Sequence, residues 1–373
     1  MSRLALLTGL FGTLMVAARA QVGVEYIAHA CFIVESPSGV RLLIDPYNAH
    51  RWLGYTFPRH LKADGVLVTH PHYDHDASYY FDAATPVFRR PGKYGLGDIR
   101  ISGFEGKHAD PYGKDFGQIN TLWLVETGGL RILHLGDNGP LRAANIAAVG
   151  RVDILMIPID SSYHILKAEE IDALLAALRP KVVLPMHYKI PSLYPAMGDL
   201  GPIDPWLEGR GNATRLSANH KVFSNDSLPA GQVFVFQPSP SVKPWSASLG
   251  QAWVESAKAR RLMQEAPVGA RRKALEHIRQ ATVLAPDVIV FWWGLGSALK
   301  AAGQMKEAIR VLEHGLASAG RDDWEYSMRS RALLAGLYHE TGQDSPAAEQ
   351  YRVVLLNSYR SRLKAEAKRF LEP

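Results

Sequence analysis

The chain changes its pattern once, and that change limits most strongly what it can fold into. From Val22 to about Gln237, short apolar runs alternate with turn residues in strand-like and helix-like stretches. Gln237–Ser248 then carries Pro238, Pro240 and Pro244, and beyond it apolar residues recur only at helical spacing. At 373 residues the chain is also too long for one core. The expected organisation is a leader at 1–20, a layered α/β domain at 22–237, a semi-rigid Pro-rich linker at 238–250 and an all-α domain at 251–373.

Within the first domain, Val24–Glu35 and Val40–Ile44 predict a hairpin joined by Ser36-Pro37-Ser38-Gly39. Further strands are expected at Gly65–Thr69, Thr121–Glu126, Leu130–Leu135, Ile154–Ile159, Val182–Pro185 and Gln232–Phe236. Ala168–Leu178 predicts a helix with Ile171, Leu174, Leu175 and Leu178 on one face. In the second domain, Trp292, Leu295, Gly296 and Leu299, followed by Ala308 and Leu312, match the spacing of a tetratricopeptide helix pair. Gly303 and Gly342 mark equivalent turns, Ala347 and Tyr351 repeat the offsets of Ala308 and Leu312, and Ala274, Ile278 and Ala281 suit an earlier repeat. Trp292 and Trp293 are expected in the core between helices. Such repeats imply a protein partner or self-association, on an appendage removable without loss of metal binding.

Composition narrows the chemistry. The only cysteine is Cys31, which excludes an intramolecular disulfide framework and any multi-cysteine zinc site. The net charge of +6 is uneven: 19 basic and 14 acidic residues follow Gln251, whereas 21–250 is nearly neutral. No basic run reaches five residues, so no nucleic-acid partner is expected. Met1–Ala20 has Arg3, an apolar stretch from Leu4 to Ala18, and the small-x-small pattern Ala18-Arg19-Ala20. It reads as an export signal cleaved before Gln21, giving a periplasmic or extracellular protein; no apolar run is long enough for a membrane span.

The chemistry concentrates where an apolar strand ends, in Val66-Leu67-Val68-Thr69-His70-Pro71-His72-Tyr73-Asp74-His75-Asp76. His70 and His72 can face one way while the chain is extended, and the following turn swings Asp74 and His75 toward a second position. Such a strand end can hold two metal ions a few ångströms apart. Nitrogen and carboxylate ligands suit zinc, with manganese or iron(II) as alternatives.

This H-x-H-x-D-H segment resembles the motif of the metallo-β-lactamase superfamily, and the resemblance covers about 22–237. It implies an αββα sandwich, with the tetratricopeptide-like helices following. It also implies ligands downstream: His108 in Gly106-Lys107-His108, Asp137 in Leu133-His134-Leu135-Gly136-Asp137, and His187 in Leu184-Pro185-Met186-His187-Tyr188. Site one would be His70, His72 and His108, and site two Asp74, His75 and His187, with Asp137 shared. Asp45, in Leu42-Leu43-Ile44-Asp45-Pro46, would brace the metal-binding loop. His29-Ala30-Cys31-Phe32 and Asn120-Thr121 are similar to the ascorbate-6-phosphate lactonase-like branch and, more distantly, to N-acyl-phosphatidylethanolamine phospholipase D. Asp160-Ser161-Ser162-Tyr163-His164 departs from that branch's usual glycine pair and implies a more polar pocket wall.

The expected activity is therefore metal-assisted hydrolysis of a small-molecule ester, lactone, amide or phosphodiester. Two cations sharing Asp137 would lower the pKa of a bridging water from about 15.7 toward about 7, and Asp74 would shuttle its proton. His29, Tyr163 and His164 are candidates for positioning a ligand or contacting substrate. Trp52, Tyr55, Phe57, Tyr194 and Trp206 could wall a pocket, and His134 reads as packed within its strand. The alternative is a non-catalytic or weakly catalytic scaffold whose repeats bind a partner protein.

Overall fold

The computed structural model describes residues 20–109, 119–193, 199–265 and 270–372. The expected leader up to Arg19 and Tyr194 lie outside the described residues.

Fourteen strands follow in chain order among the described residues: β1 (Gln21–Ala28), β2 (Cys31–Glu35), β3 (Arg41–Ile44), β4 (Gly65–Leu67), β5 (Val87–Phe88), β6 (Gly92–Leu96), β7 (Ile99–Lys107), β8 (Ile119–Thr127), β9 (Leu130–His134), β10 (Ile154–Pro158), β11 (Val182–Met186), β12 (Ala213–Arg215), β13 (His220–Ser224) and β14 (Gln232–Val235). They form a six-stranded sheet, β13-β1-β2-β3-β4-β5, and an eight-stranded sheet, β12-β14-β11-β10-β9-β8-β7-β6. The stretch expected as one strand, Val24–Glu35, is two antiparallel strands reversing at His29-Ala30. The turn carries no glycine or proline; His29 itself adopts φ 58°, which sequence periodicity cannot reveal.

Apolar faces of both sheets join one core, and polar groups stitch the layers together. Trp123 is fully buried, and its Nε1 donates to Val68 O at 3.1 Å. The Thr121 N–H donates to Thr69 O at 2.8 Å. Outside lie α1 (Ala143–Val149) and α2 (Ala168–Leu178); α2 spans the expected residues and buries Ile171, Leu174 and Leu178. The short α3 (Asp204–Leu207) completes the set. The chain thus forms the expected α/β sandwich, and an all-helical region follows it.

That region comprises α4 (Ala247–Glu265), α5 (Arg271–Leu284), α6 (Ile289–Ala301), α7 (Met305–Ala319), α8 (Trp324–Glu340), α9 (Asp344–Asn357) and α10 (Ser361–Leu371). Gly303 and Gly342 turn α6 into α7 and α8 into α9 with the same φ of 76°. Ala308, Leu312, Ala347 and Tyr351 are buried at matching positions. At Gly296 a Cβ would lie 2.6 Å from Leu312 Cγ, so α6 and α7 pack as closely as they do only without a side chain there.

The helices do not stand apart from the sandwich. The proline-containing stretch is held against it: Ser239 N donates to Ile27 O at 2.8 Å, Lys243 N to Thr56 Oγ1 at 3.0 Å and Trp245 Nε1 to Ala49 O at 2.7 Å. Its non-proline residues retain their amide donors and use them here. The α7–α8 turn then docks on residues 48–51. Asn48 Nδ2 donates to Asp322 O at 2.6 Å, His50 Nδ1 lies 2.5 Å from Asp322 Oδ1, and Arg51 Nη1 lies 3.0 Å from Asp323 Oδ2. Asp322 and Asp323 are both buried.

Candidate metal centre

Parallel strands deliver their C-terminal ends to one edge of the sandwich, and the histidines and aspartates gather there. β4 leads into His70, His72, Asp74 and His75; β7 into His108; β9 into Asp137; β11 into His187. Gly136, at φ 55°, makes the turn before Asp137, and a Cβ there would lie 2.6 Å from Thr69 Cβ. Asn120 Oδ1 accepts from Asp137 N at 3.2 Å, and Asn120 Nδ2 donates to Leu135 O at 2.9 Å, clamping that turn. His108 is fixed by a backbone bridge to Asn138.

Among the described residues, three groupings have ligand atoms close enough to share an ion: His70, His72 and His108; His70, His75 and Asp137; and His29, Asp74, His75 and His187. Asp137 lies at the centre. Its Oδ1 is 3.2 Å from His75 Nε2, and its Oδ2 is 3.2 Å from His187 Nε2, 3.7 Å from His108 Nε2 and 3.8 Å from His70 Nε2. His75 Nε2, His108 Nε2, His187 Nε2 and Asp137 Oδ1 are buried without a hydrogen-bond partner. Buried polar atoms facing one another without hydrogen-bond geometry suit a cation between them. The donor set, imidazole and carboxylate without thiolate, fits divalent zinc, manganese or iron.

Neighbouring groups fix the tautomers. Asp45, at φ 48°, accepts from Thr69 N at 2.8 Å and Thr69 Oγ1 at 2.7 Å, and its Oδ2 takes His75 Nδ1–H at 2.7 Å. His75 Nε2 is thereby left to face the cluster. His108 Nδ1–H donates to Ala109 O at 2.8 Å in the same way. His29 Nε2 lies 3.2 Å from Asp74 Oδ2, and its carbonyl accepts from His187 N at 3.0 Å. Burial lowers the pKa of His29 to about 3 and of His72 to about 4, leaving neutral imidazoles. Burial acts the same way on His75 and His187, but neighbouring carboxylates, Asp137 foremost, outweigh it and raise both. Asp74 and Asp137 stay ionised: burial opposes this, but the histidines facing them hold both carboxyls well below the usual range.

A pocket of about 250 Å³ opens over the cluster. Trp52 and His164 line it, with the His164 ring 5.6 Å from those of Trp52 and His187. Tyr163 does not: at φ 54° its side chain turns 54% exposed toward a separate depression beside Trp206. Tyr55 and Phe57 pack around buried Tyr47, under the loop. His134 is satisfied within the core, with Nε2 donating to Ala30 O at 2.9 Å and Nδ1 accepting from Gly136 N at 3.1 Å. Sequence reasoning missed Arg51, Tyr73, Glu325 and Arg360, all of which line the pocket. Only Tyr73, inside the histidine segment, had a local signal.

Fold and cluster together define a class: candidate metal sites built at the strand ends of two facing sheets. Residues 23–187 match the family model for the beta-lactamase superfamily domain. A UPF0173 protein of Pyrococcus furiosus is 32% identical over 190 residues, 44% of this chain and 82% of the relative. A UPF0173 metal-dependent hydrolase of Carboxydothermus hydrogenoformans is 26% identical over 193 residues, 44% of this chain and 84% of the relative. A crystal structure of a zinc-dependent hydrolase of the metallo-β-lactamase superfamily from Thermotoga maritima aligns with TM-score 0.46 and 26% identity, over 58% of this chain and 100% of that one. The chain belongs to the UPF0173 metal-dependent hydrolases of the metallo-β-lactamase superfamily.

Proposed function

We propose that the protein is an exported hydrolase with two metal ions, one held by His70, His72 and His108 and the other by Asp74, His75 and His187, with Asp137 shared. The observation carrying this reading is the convergence of four imidazole nitrogens on the buried carboxylate of Asp137. When bound, the ions supply a water acidified to near-neutral pKa and a positive charge that polarises the substrate oxygen. The chain's own residues do the rest. His29 Nε2–H holds Asp74 Oδ2, so the ionised Asp74 carboxylate is oriented to accept and pass on a proton. Asp45 keeps the His75 ring turned toward Asp137. His164 and Trp52 form the wall against which substrate lies.

The bond cleaved is an ester, lactone, amide or phosphodiester; the departure at Asp160-Ser161-Ser162-Tyr163-His164 from the lactonase-like branch leaves these four classes unranked. The helices are read as tetratricopeptide-like from their equivalent glycine turns. Metal analysis of the purified protein together with a panel of lactone, phosphodiester and amide substrates tests the reading. Two equivalents of metal and turnover of one panel member are expected; a metal-free, inactive protein would favour the scaffold alternative. Export is tested separately, since the mature chain should begin Gln-Val-Gly-Val and intact Met1 on the soluble protein would remove it.

A further inference from the structure

One short loop is gripped from both sides. Residues 48–51 follow β3, and each is held by the helical region or by the stretch leading into it. Asn48 Nδ2 donates to Asp322 O at 2.6 Å, Ala49 O accepts from Trp245 Nε1 at 2.7 Å, and His50 O accepts from Trp253 Nε1 at 2.9 Å. Arg51 Nη1 lies 3.0 Å from Asp323 Oδ2 and 3.6 Å from Glu325 Oε2. Asp323 is itself anchored, since its Oδ1 caps α8 by accepting from Tyr326 N at 3.0 Å. Glu325 and Arg360 bring the same region to the pocket wall.

The other side of this loop meets the metal-binding segment. Asn48 N donates to Tyr73 O at 2.7 Å, and the Arg51 guanidinium lies 3.6 Å from the centre of the Tyr73 ring. Tyr73 stands between His72 and Asp74, so its backbone and ring together fix how the chain passes from one candidate ligand to the next. Trp52 then follows at φ 48°, with its ring 6.0 Å from that of His29 and 6.5 Å from that of His187. A non-glycine residue keeps that conformation only where its surroundings hold it, and the four residues before Trp52 are held by the helices.

We infer that the helical region is a positioning part of the metal centre, acting through Arg51 on Tyr73 to keep His72 and Asp74 in place to ligate. The inference rests on the metal site of the proposed hydrolase and not on its turnover. It runs against the expectation that the helices can be removed without loss of metal binding. An arginine suits this task where a lysine does not: its guanidinium pairs with carboxylates along its edge while its flat face lies on an aromatic ring.

The test is cobalt(II) and zinc(II) binding by the full-length protein, read by chelator competition and by the cobalt absorption spectrum. Arg51→Lys keeps a charge opposite Asp323 but loses the planar face over Tyr73; affinity should fall about tenfold and the cobalt bands should shift, with a single unfolding transition retained. Asp323→Ala should lower affinity by a similar factor from the helical side. Tyr73→Leu should do so from the metal side, and Tyr73→Phe, which keeps the ring, should restore the wild-type value. The double variant Asp323→Ala/Tyr73→Leu should bind within about threefold of the weaker single variant, because both changes break one link. Lys300→Gln, which breaks an exposed pair with Glu340 elsewhere in the helical region, should leave affinity and spectrum unchanged. Wild-type affinity in Arg51→Lys and Asp323→Ala, or losses that multiply to about a hundredfold in the double variant, would overturn the inference. Should Asp323→Ala fail to fold, Arg51→Lys and the two Tyr73 variants decide it. A wild-type protein that takes up neither metal would overturn the metal reading and this inference with it, an outcome distinct from metal bound equally by wild type and variants.

Discussion

Asp45 receives three hydrogen bonds, two from Thr69 and one from His75, and so governs which nitrogen of His75 faces the cluster. In Asp45→Asn the amide lacks a second acceptor oxygen, and metal affinity in a chelator competition should fall about 10–100-fold. His72→Ala or His187→Ala should empty one of two metal sites and lower turnover by about 10²-fold or more; full metal content with unchanged turnover in His72→Ala would sink the ligand assignment. Acid should destabilise the stripped protein. His29 and His72, depressed to about 3 and about 4, stay neutral in the folded chain while their unfolded counterparts protonate near 6.5, so the unfolded state binds more protons and stability falls as pH drops from about 6.5 toward 4. His70, His108 and His134, also lowered by burial, act in the same direction. His75 and His187 are raised; their contribution is complete below 6.5 and fades only as pH rises through their folded values. Thermal melts at pH 7, 6 and 5 with chelator present should give a falling midpoint. The clustered residues His70 to His75 were legible because one strand end carries them all; Arg51 and Arg360 were not, because charged residues in loops and helices read as solvated until packing brings them together.

At the scale of elements, continuous apolar strands and the α2 helix were readable to within a residue or two, whereas β6 and β7 were hidden by glycines and exposed polar residues. The β1–β2 reversal at His29 was hidden for another reason: a non-glycine residue in the left-handed region leaves no compositional mark. His29, Asp45 and His187 all adopt that conformation, each at a cost of order 1–3 kcal/mol supplied by the surrounding sheets. Two glycines in the helical region offer a matched test. Gly296→Ala meets Leu312 at 2.6 Å and should destabilise by about 1–3 kcal/mol. Gly336→Ala, whose Cβ would lie 3.7 Å from Tyr351 Oη, should be neutral or stabilise by about 0.5–1 kcal/mol. Denaturant melts of the two variants would read both signs.

For the whole molecule, the decisive contact is that between Arg51 of the sandwich and Asp323 of the helical region. Burial raises the Asp323 carboxyl, and Arg51 opposes the rise. Asp323→Ala leaves the Arg51 guanidinium without its nearest counter-charge in a half-closed interface and should cost about 3–5 kcal/mol. Loss of docking should also split one unfolding transition into two, a change visible by calorimetry. The change of pattern in the sequence located the helical region, yet nothing in it showed that the prolines lie flat against the sandwich or that the helices reach the pocket.

Synthesis order gives the shared wall a temporal meaning. Every proposed ligand has been made by His187, whereas Arg360 follows 173 residues later. At about 5–20 residues per second, a growing chain passes roughly 9 to 35 seconds with its cluster residues made and Arg360 still absent. A chain halted or nicked in that interval would keep the histidines and aspartates and lack Glu325 and Arg360 from the pocket wall. Comparing its products with those of the intact protein would read what the helical wall contributes to the choice of substrate.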